Sequence, residues 1–343
     1  MKTTLNSHIK NGGIVHMAMT INKRKIAVVG CGLVGSSTAF SLITQGICDI
    51  VMMIDINKEK ALGEALDLRD SIEYLNRNVQ IRIGDYSDCG DADIVVITAG
   101  PPPKPGQTRL DTLAVSAKII KSIVPPVMKS GFNGIFLVIS NPCDIITQYV
   151  YKLSGLPKNQ VIGTGTALDS SRLKNYIGEL IHVDPRSIQA FTMGEHGDSQ
   201  MVPWKSITVS GKSFADIMKD NPDMFKNINM DELVAKTARE GFEILNRKGT
   251  TYYGIASTAA GIIKAILHDE NRIIPVSTLL EGEYGETGVF AGVPAVLNRH
   301  GAADILELHM TSAELEKFRK SVSVIRQNVE KIMEYDSELE KGA

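Results

Sequence analysis

The run Gly30-Cys31-Gly32-Leu33-Val34-Gly35 is a GxGxxG placed directly after the apolar, β-branched stretch Lys25–Val29 and directly before a helical stretch. That context suits a turn that receives a dinucleotide pyrophosphate. Gly30 makes the tight turn, Gly32 lets the backbone approach the phosphates, and Gly35 lets the helix pack on the sheet. The helix start offers free N–H groups to an anion. Asp55 follows the last glycine by 20 residues, at the end of a second apolar stretch. A carboxylate there accepts hydrogen bonds from the adenosine ribose and repels a 2′-phosphate, so the motif predicts NAD rather than NADP.

Three other groups of residues stand outside the periodic apolar pattern. Met193-Gly194-Glu195-His196-Gly197-Asp198-Ser199 sets a histidine between glycines. Asp169 and Arg172, in ALDSSRLK, are three apart and share one side of a predicted helix. Arg109 sits in GPPPKPGQTRLD, a proline- and glycine-rich connection after a predicted strand. Singly, each has an ordinary structural reading. A lone histidine is usually a satisfied polar residue, and an Asp/Arg pair on a helix is usually a surface ion pair.

The elements that must carry these residues alternate. Residues 25–30, 50–55, 79–84, 94–99 and 134–140 read as buried strands, with helical segments at 33–46 and 57–74 among them. This predicts an α/β fold: a Rossmann-type doubly wound parallel sheet with helices on both faces. Near Gly163 the pattern becomes mixed. A helix over about 166–178, helices near 231–246 and 254–267, and strands through 271–305 predict an α+β substrate domain after it. The expected organisation is an N-terminal arm at 1–24, an NAD-binding domain at 25–163 and a catalytic domain at 164–343. Thr311 and Glu314 have capping-box spacing. Leu315, Phe318, Val322, Ile325, Val329 and Ile332 then form the apolar stripe of a terminal helix.

Bulk properties fit a globular protein: 43% apolar, 22% charged, net charge −2 over 343 residues. No basic excess points to nucleic acid or an anionic membrane surface, and no apolar run approaches a membrane span. No signal peptide is expected in the first 25 residues; Met17 and Met19 stand beside Met1 as possible starts. Cys31, Cys48, Cys89 and Cys143 form no CxxC pair, which predicts free buried thiols in a cytoplasmic protein. No metal site is expected.

Taken together, the motifs TRLD (108–111), ISNPCD (139–144), VIGTGTALDSSR (161–172) and GEHGDS (194–199) resemble the L-lactate/malate dehydrogenase family over about residues 25–332. The resemblance implies hydride transfer between NAD and a small L-2-hydroxy acid or its 2-keto partner. His196 matches the acid/base that exchanges a proton with the keto or hydroxyl oxygen; an unperturbed imidazole pKa of roughly 6.5 suits the task. Asp169 matches the carboxylate that orients the imidazole. Arg172 matches the guanidinium that grips the substrate carboxylate through two hydrogen bonds. Arg109 matches the loop arginine that polarises the carbonyl when the loop closes. Asn141 matches a residue that hydrogen-bonds near nicotinamide and substrate.

The resemblance also bears on specificity. Where malate members carry arginine and lactate members glutamine, this chain has Pro103; Thr251 matches a small threonine of lactate-type members. The order of preference is L-lactate dehydrogenase, then a broader or branched-chain L-2-hydroxy-acid dehydrogenase, then malate dehydrogenase. Many bacterial lactate members are activated by fructose 1,6-bisphosphate through an arginine and a histidine. Lys174 and Gln189 occupy those positions here, so weak or absent activation is expected. The family further implies a homo-oligomer, dimer or tetramer.

Overall fold

A computed structural model describes residues 22–101 and 113–341. Pro103 and Arg109 lie outside the described residues, as does most of the 1–24 arm. The first half alternates strand and helix: β1 (Lys25–Val29), α1 (Leu33–Thr44), β2 (Ile50–Ile54), α2 (Lys58–Ser71), β3 (Gln80–Ile83), β4 (Ile94–Ile97), α3 (Leu113–Lys129), β5 (Ile135–Val138), α4 (Cys143–Ser154) and β6 (Val161–Gly163). These strands pair in parallel in the order β3-β2-β1-β4-β5-β6. Every residue of β1, β2, β4 and β5 is buried, because helices cover both faces of the sheet. The order reverses between β1 and β4, and at such a switch point the strand ends open a crevice for ligands.

The second half begins with α5 (Ala167–Ile181). It continues through β7 (Ile188–Gln189), β8 (Thr208–Val209), β9 (Lys212–Ser213), α6 (Phe214–Asp220), α7 (Pro222–Phe225), α8 (Met230–Lys248) and α9 (Tyr253–Leu267). It ends with β10 (Arg272–Glu281), β11 (Thr287–Asn298), β12 (Gly301–Ile305) and α10 (Ser312–Lys341). Strands β7, β8 and β9 form a small antiparallel sheet of their own. The longer strands do not: β10 pairs with β6 at Ser277 and Gly163, so β10, β11 and β12 extend the parallel sheet to nine strands. That continuity is absent from the sequence pattern, because strand pairing depends on partners far apart in the chain.

Two apolar layers hold the large sheet. Residues of α1, α2 and α9 pack on one face, and residues of α3, α4 and α10 on the other. A third cluster, including Leu173, Ile177 and Phe214, joins α5 to the small sheet and α6. In α10 the stripe Phe318, Val322, Ile325, Val329 and Ile332 is buried as its periodicity predicts. Glu314 accepts the Thr311 N–H at 2.7 Å, and the Thr311 hydroxyl accepts the Glu314 N–H at 3.3 Å, which closes the capping box. No helix among the described residues is long and apolar enough to cross a membrane.

Candidate active site

The glycine turn links β1 to α1. Gly30 has φ +101°, a conformation that strains side-chain-bearing residues, and a Cβ there would stand 2.8 Å from the Ala99 nitrogen and from Thr98 Oγ1. A Cβ on Gly35 would meet the Gly30 carbonyl oxygen at 1.8 Å, so only glycine lets the first turn of α1 sit on this loop. Among the described residues, a Cβ on Gly32 would meet nothing within 4 Å, so the turn is open at that position. The N-cap residue of α1, Gly32, makes no side-chain cap, and the first turn holds no acidic residue. The amides of its first turn therefore carry positive partial charge at the glycine turn.

Asp55 follows β2 beside the turn. Its Oδ2 accepts the Cys31 N–H at 2.7 Å and its Oδ1 accepts the Asn57 N–H at 2.9 Å. A carboxylate has about four acceptor sites, so both oxygens keep capacity for ribose hydroxyls. Cys31 is fully buried; burial, reinforced by Asp55, pushes its thiol up to about 12. The thiol is therefore inert near neutral pH.

The second group assembles around the first turns of α5. Asp169 and Arg172 are both buried, at 1% and 4% exposure, and Arg172 Nη1 lies 3.1 Å from Asp169 Oδ1. The other oxygen, Asp169 Oδ2, lies 2.5 Å from Nδ1 of His196. One carboxylate thus fixes an imidazole and a guanidinium relative to each other. Glu240 of α8 adds a longer electrostatic contact, with its Oε1 3.8 Å from Arg172 Nε.

The backbone of the histidine loop is tied to three elements by consecutive amides. Gly194 donates to the Gly292 carbonyl of β11 at 2.9 Å, Glu195 to Ser321 Oγ of α10 at 2.8 Å, and His196 to Asp144 Oδ2 of α4 at 2.8 Å. Asp144 is buried and also accepts the Ser277 hydroxyl of β10 at 2.6 Å. Burial raises the Asp144 carboxyl to about 6 against the opposing pull of those two hydrogen bonds. Asp144 lies in the ISNPCD motif, but its spacing gives no hint of contact with a loop some fifty residues away. Ser277, Ser321 and Glu240 carry no sequence signal at all.

The remaining candidates take separate places. Asn141 follows β5 in an exposed turn at the C-terminal end of the sheet, where its carbonyl accepts the Ser116 hydroxyl at 3.2 Å. Thr251 is half-buried, two residues before α9. Beside His196 opens a cavity of about 690 Å³ whose lining includes Pro142, Gln200, Asp231, Val234 and Lys317. Lys174 and Gln189 line a different cavity, of about 820 Å³, together with Asp184, Arg186 and Arg272. Burial, and then the neighbouring Arg272 charge, hold the Lys174 ammonium below its ordinary range. Among the described residues no cluster of three or more histidine, cysteine or acidic side chains has the arrangement of a metal site.

Residues 24–163 match the family described as lactate/malate dehydrogenase, NAD binding domain, and residues 166–336 match lactate/malate dehydrogenase, alpha/beta C-terminal domain. The chain is 55% identical to L-lactate dehydrogenase 3 of Bacillus cereus over 308 residues, covering 90% of this chain and 98% of the relative. It is 47% identical to L-lactate dehydrogenase 1 of Bifidobacterium longum, over 92% of this chain and all of the relative. The crystal structure of the minor L-lactate dehydrogenase of Enterococcus mundtii, in its ligands-bound form, superposes with a TM-score of 0.86 at 42% identity, covering 90% and 98% of the two chains. Sequence, domain order and three-dimensional shape agree along nearly the whole length, and the chain belongs to the lactate/malate dehydrogenase family.

Proposed function

We propose that this protein is an NAD-dependent L-lactate dehydrogenase that interconverts pyruvate and L-lactate. The observation that carries the proposal is Asp169 held between His196 and Arg172. With Nδ1 engaged by Asp169, Nε2 is the ring nitrogen that gives a proton to the keto oxygen in reduction and removes it from the hydroxyl in oxidation. Asp169 is engaged by only one nitrogen of the Arg172 fork within hydrogen-bond distance. The remaining donors suit the substrate carboxylate. Arg109 polarises the carbonyl, Asn141 hydrogen-bonds near nicotinamide and substrate, and Pro103 and Thr251 bound the substrate side chain. These roles rest on the family resemblance.

The glycine turn fits NAD. Open space at Gly32, uncapped α1 amides and the remaining acceptor capacity of Asp55 suit a pyrophosphate and a ribose with free hydroxyls. Bound NAD supplies or accepts the hydride. Residues 25–163 form the cofactor domain and 164–343 the catalytic domain of a cytoplasmic homo-oligomer, dimer or tetramer. Fructose 1,6-bisphosphate activates it weakly or not at all, because Lys174 has no guanidinium fork and Gln189 no charge.

Pro103 sustains a second reading, a broader or branched-chain 2-hydroxy-acid specificity, since a compact apolar residue there tolerates longer side chains. The deciding experiment follows NADH absorbance with pyruvate, 4-methyl-2-oxopentanoate and oxaloacetate in parallel. Highest kcat/KM with pyruvate is the expected outcome. A preference for the branched substrate moves the assignment to the second reading, and no turnover with any of the three ends both.

A further inference from the structure

We propose that Ser321, on the C-terminal helix α10, is a positioning residue for His196, acting through a closed ring of hydrogen bonds with Glu195 and Ser199. The inference rests on the proposed acid/base role of His196.

The proton count closes the ring. Ser199 Oγ donates to Glu195 Oε2, so its only hydroxyl proton is spent there. In the 3.0 Å contact between Ser199 Oγ and Ser321 Oγ, Ser321 must then be the donor. Ser321 in turn accepts the Glu195 N–H at 2.8 Å. Each hydroxyl donates once and accepts once, and the circuit begins and ends on Glu195. Its loop members, residues 195 and 199, bracket the turn that carries His196. Inside that turn Gly197 donates to the Glu195 carbonyl at 2.9 Å.

The ring is anchored on a rigid support. Ser321 is fully buried and shares a face of α10 with Phe318, Val322 and Ile325, also fully buried. Moving the helix away would open the core on that face of the sheet. Contact with the loop is equally close. A Cβ on Gly194 would stand 2.3 Å from Ser321 Oγ and 2.7 Å from its Cβ, so glycine is required for the approach. The ring thus fixes the N–H of Glu195, the residue before His196, while Asp169 fixes the imidazole nitrogen. Proton transfer depends on both, since a misplacement of about 1 Å at a reacting group can lower the rate by roughly a hundredfold.

The test compares Ser321→Ala, Ser199→Ala and the double variant in pyruvate reduction, with the NADH dissociation constant measured by fluorescence. Ser199 is half-buried on the loop, so its variant does not depend on α10 repacking. The expected result is a kcat lowered about tenfold in either single variant. The double variant should lose no more, and NADH affinity should be unchanged, because members of one ring fail as a unit. Full kcat in either single variant, losses that multiply in the double variant, or a parallel fall in NADH affinity would each overturn the proposal. A wild type that reduces no 2-keto acid refutes the assigned activity instead. An active wild type, an inactive His196→Asn variant and serine variants at full rate refute the ring alone.

Discussion

The imidazole of His196 stands 2.5 Å from the buried carboxylate of Asp169, a helix residue 27 positions earlier in the chain. The separate fixing of the His196 amide by Asp144 means that ring and backbone are held by different elements. Replacing the ring with an amide that cannot exchange the proton should therefore remove chemistry without moving the loop. His196→Asn is expected to bind NADH normally and to lose about two to four decades of kcat. Stopped-flow turnover beside a fluorescence titration of NADH checks this; near-normal turnover removes His196 from the mechanism.

Arg172 is buried against Asp169, so its charge is already compensated before substrate arrives. On the proposed reading, the substrate carboxylate would gain from it chiefly the planar fork. Arg172→Lys keeps the charge and loses the planar fork, and KM for pyruvate should rise by at least about tenfold. An unchanged KM places the substrate carboxylate elsewhere.

Asp55 carries its negative charge beside the glycine turn, where a 2′-phosphate on the adenosine ribose would meet it. The enzyme should use NADH in strong preference to NADPH, and Asp55→Ser should narrow the gap chiefly by improving NADPH. Equal kcat/KM for the two cofactors in the wild type would remove Asp55 from ribose recognition.

The cofactor turn was legible in the sequence because its information is local. Strand, glycines, helix and acidic residue follow one another within about thirty residues, and periodicity places them. Asp169 and Arg172 were legible as a pair for the same reason, being one helical turn apart. Their meeting with His196 is not local, and only the resemblance to a family brought the three together. Asp144 stood in a quoted motif with no role assigned to it, and Ser321 escaped entirely. A buried aspartate after a proline and a serine on an apolar helix face look like ordinary residues until the loop they hold is folded against them. The joining of β10 to β6 escaped likewise, since a single register point, Ser277 to Gly163, decides it.

Asp336 gives the fold a pH signature. Its buried carboxylate accepts from Lys121 at 2.7 Å, Tyr149 at 2.7 Å and Lys152 at 3.0 Å, tying α10 to α3 and α4. Burial pushes its pKa up, but these three hydrogen bonds and the Lys152 charge outweigh it and lower it to about 2. The unfolded chain would titrate this group near roughly 3.9. A depressed folded value means the stabilisation is fully present above about pH 4 and is lost as pH falls through about 2. Asp336→Asn should melt earlier at pH 7, by about 1–2 kcal/mol after allowance for the partly exposed lysines. The gap to wild type should close between about pH 4 and pH 2. A gap that stays constant with pH would show that the charge is not what stabilises.

Pro103 lies outside the described residues, yet its chemistry alone makes a prediction about substrate choice. Proline offers neither a charge nor a side-chain donor, so nothing at this position can pair with the second carboxylate of oxaloacetate. Burying that carboxylate unpaired in a closed site costs several kcal/mol, roughly two or more decades in kcat/KM. Lys104 is the nearest other cation in the sequence. The wild type should therefore reduce pyruvate far better than oxaloacetate. Pro103→Arg should shift the ratio of the two kcat/KM values toward oxaloacetate by at least tenfold, by supplying the missing cation. If the wild type already prefers oxaloacetate, Lys104 supplies that cation, and Lys104→Ala should then abolish the preference.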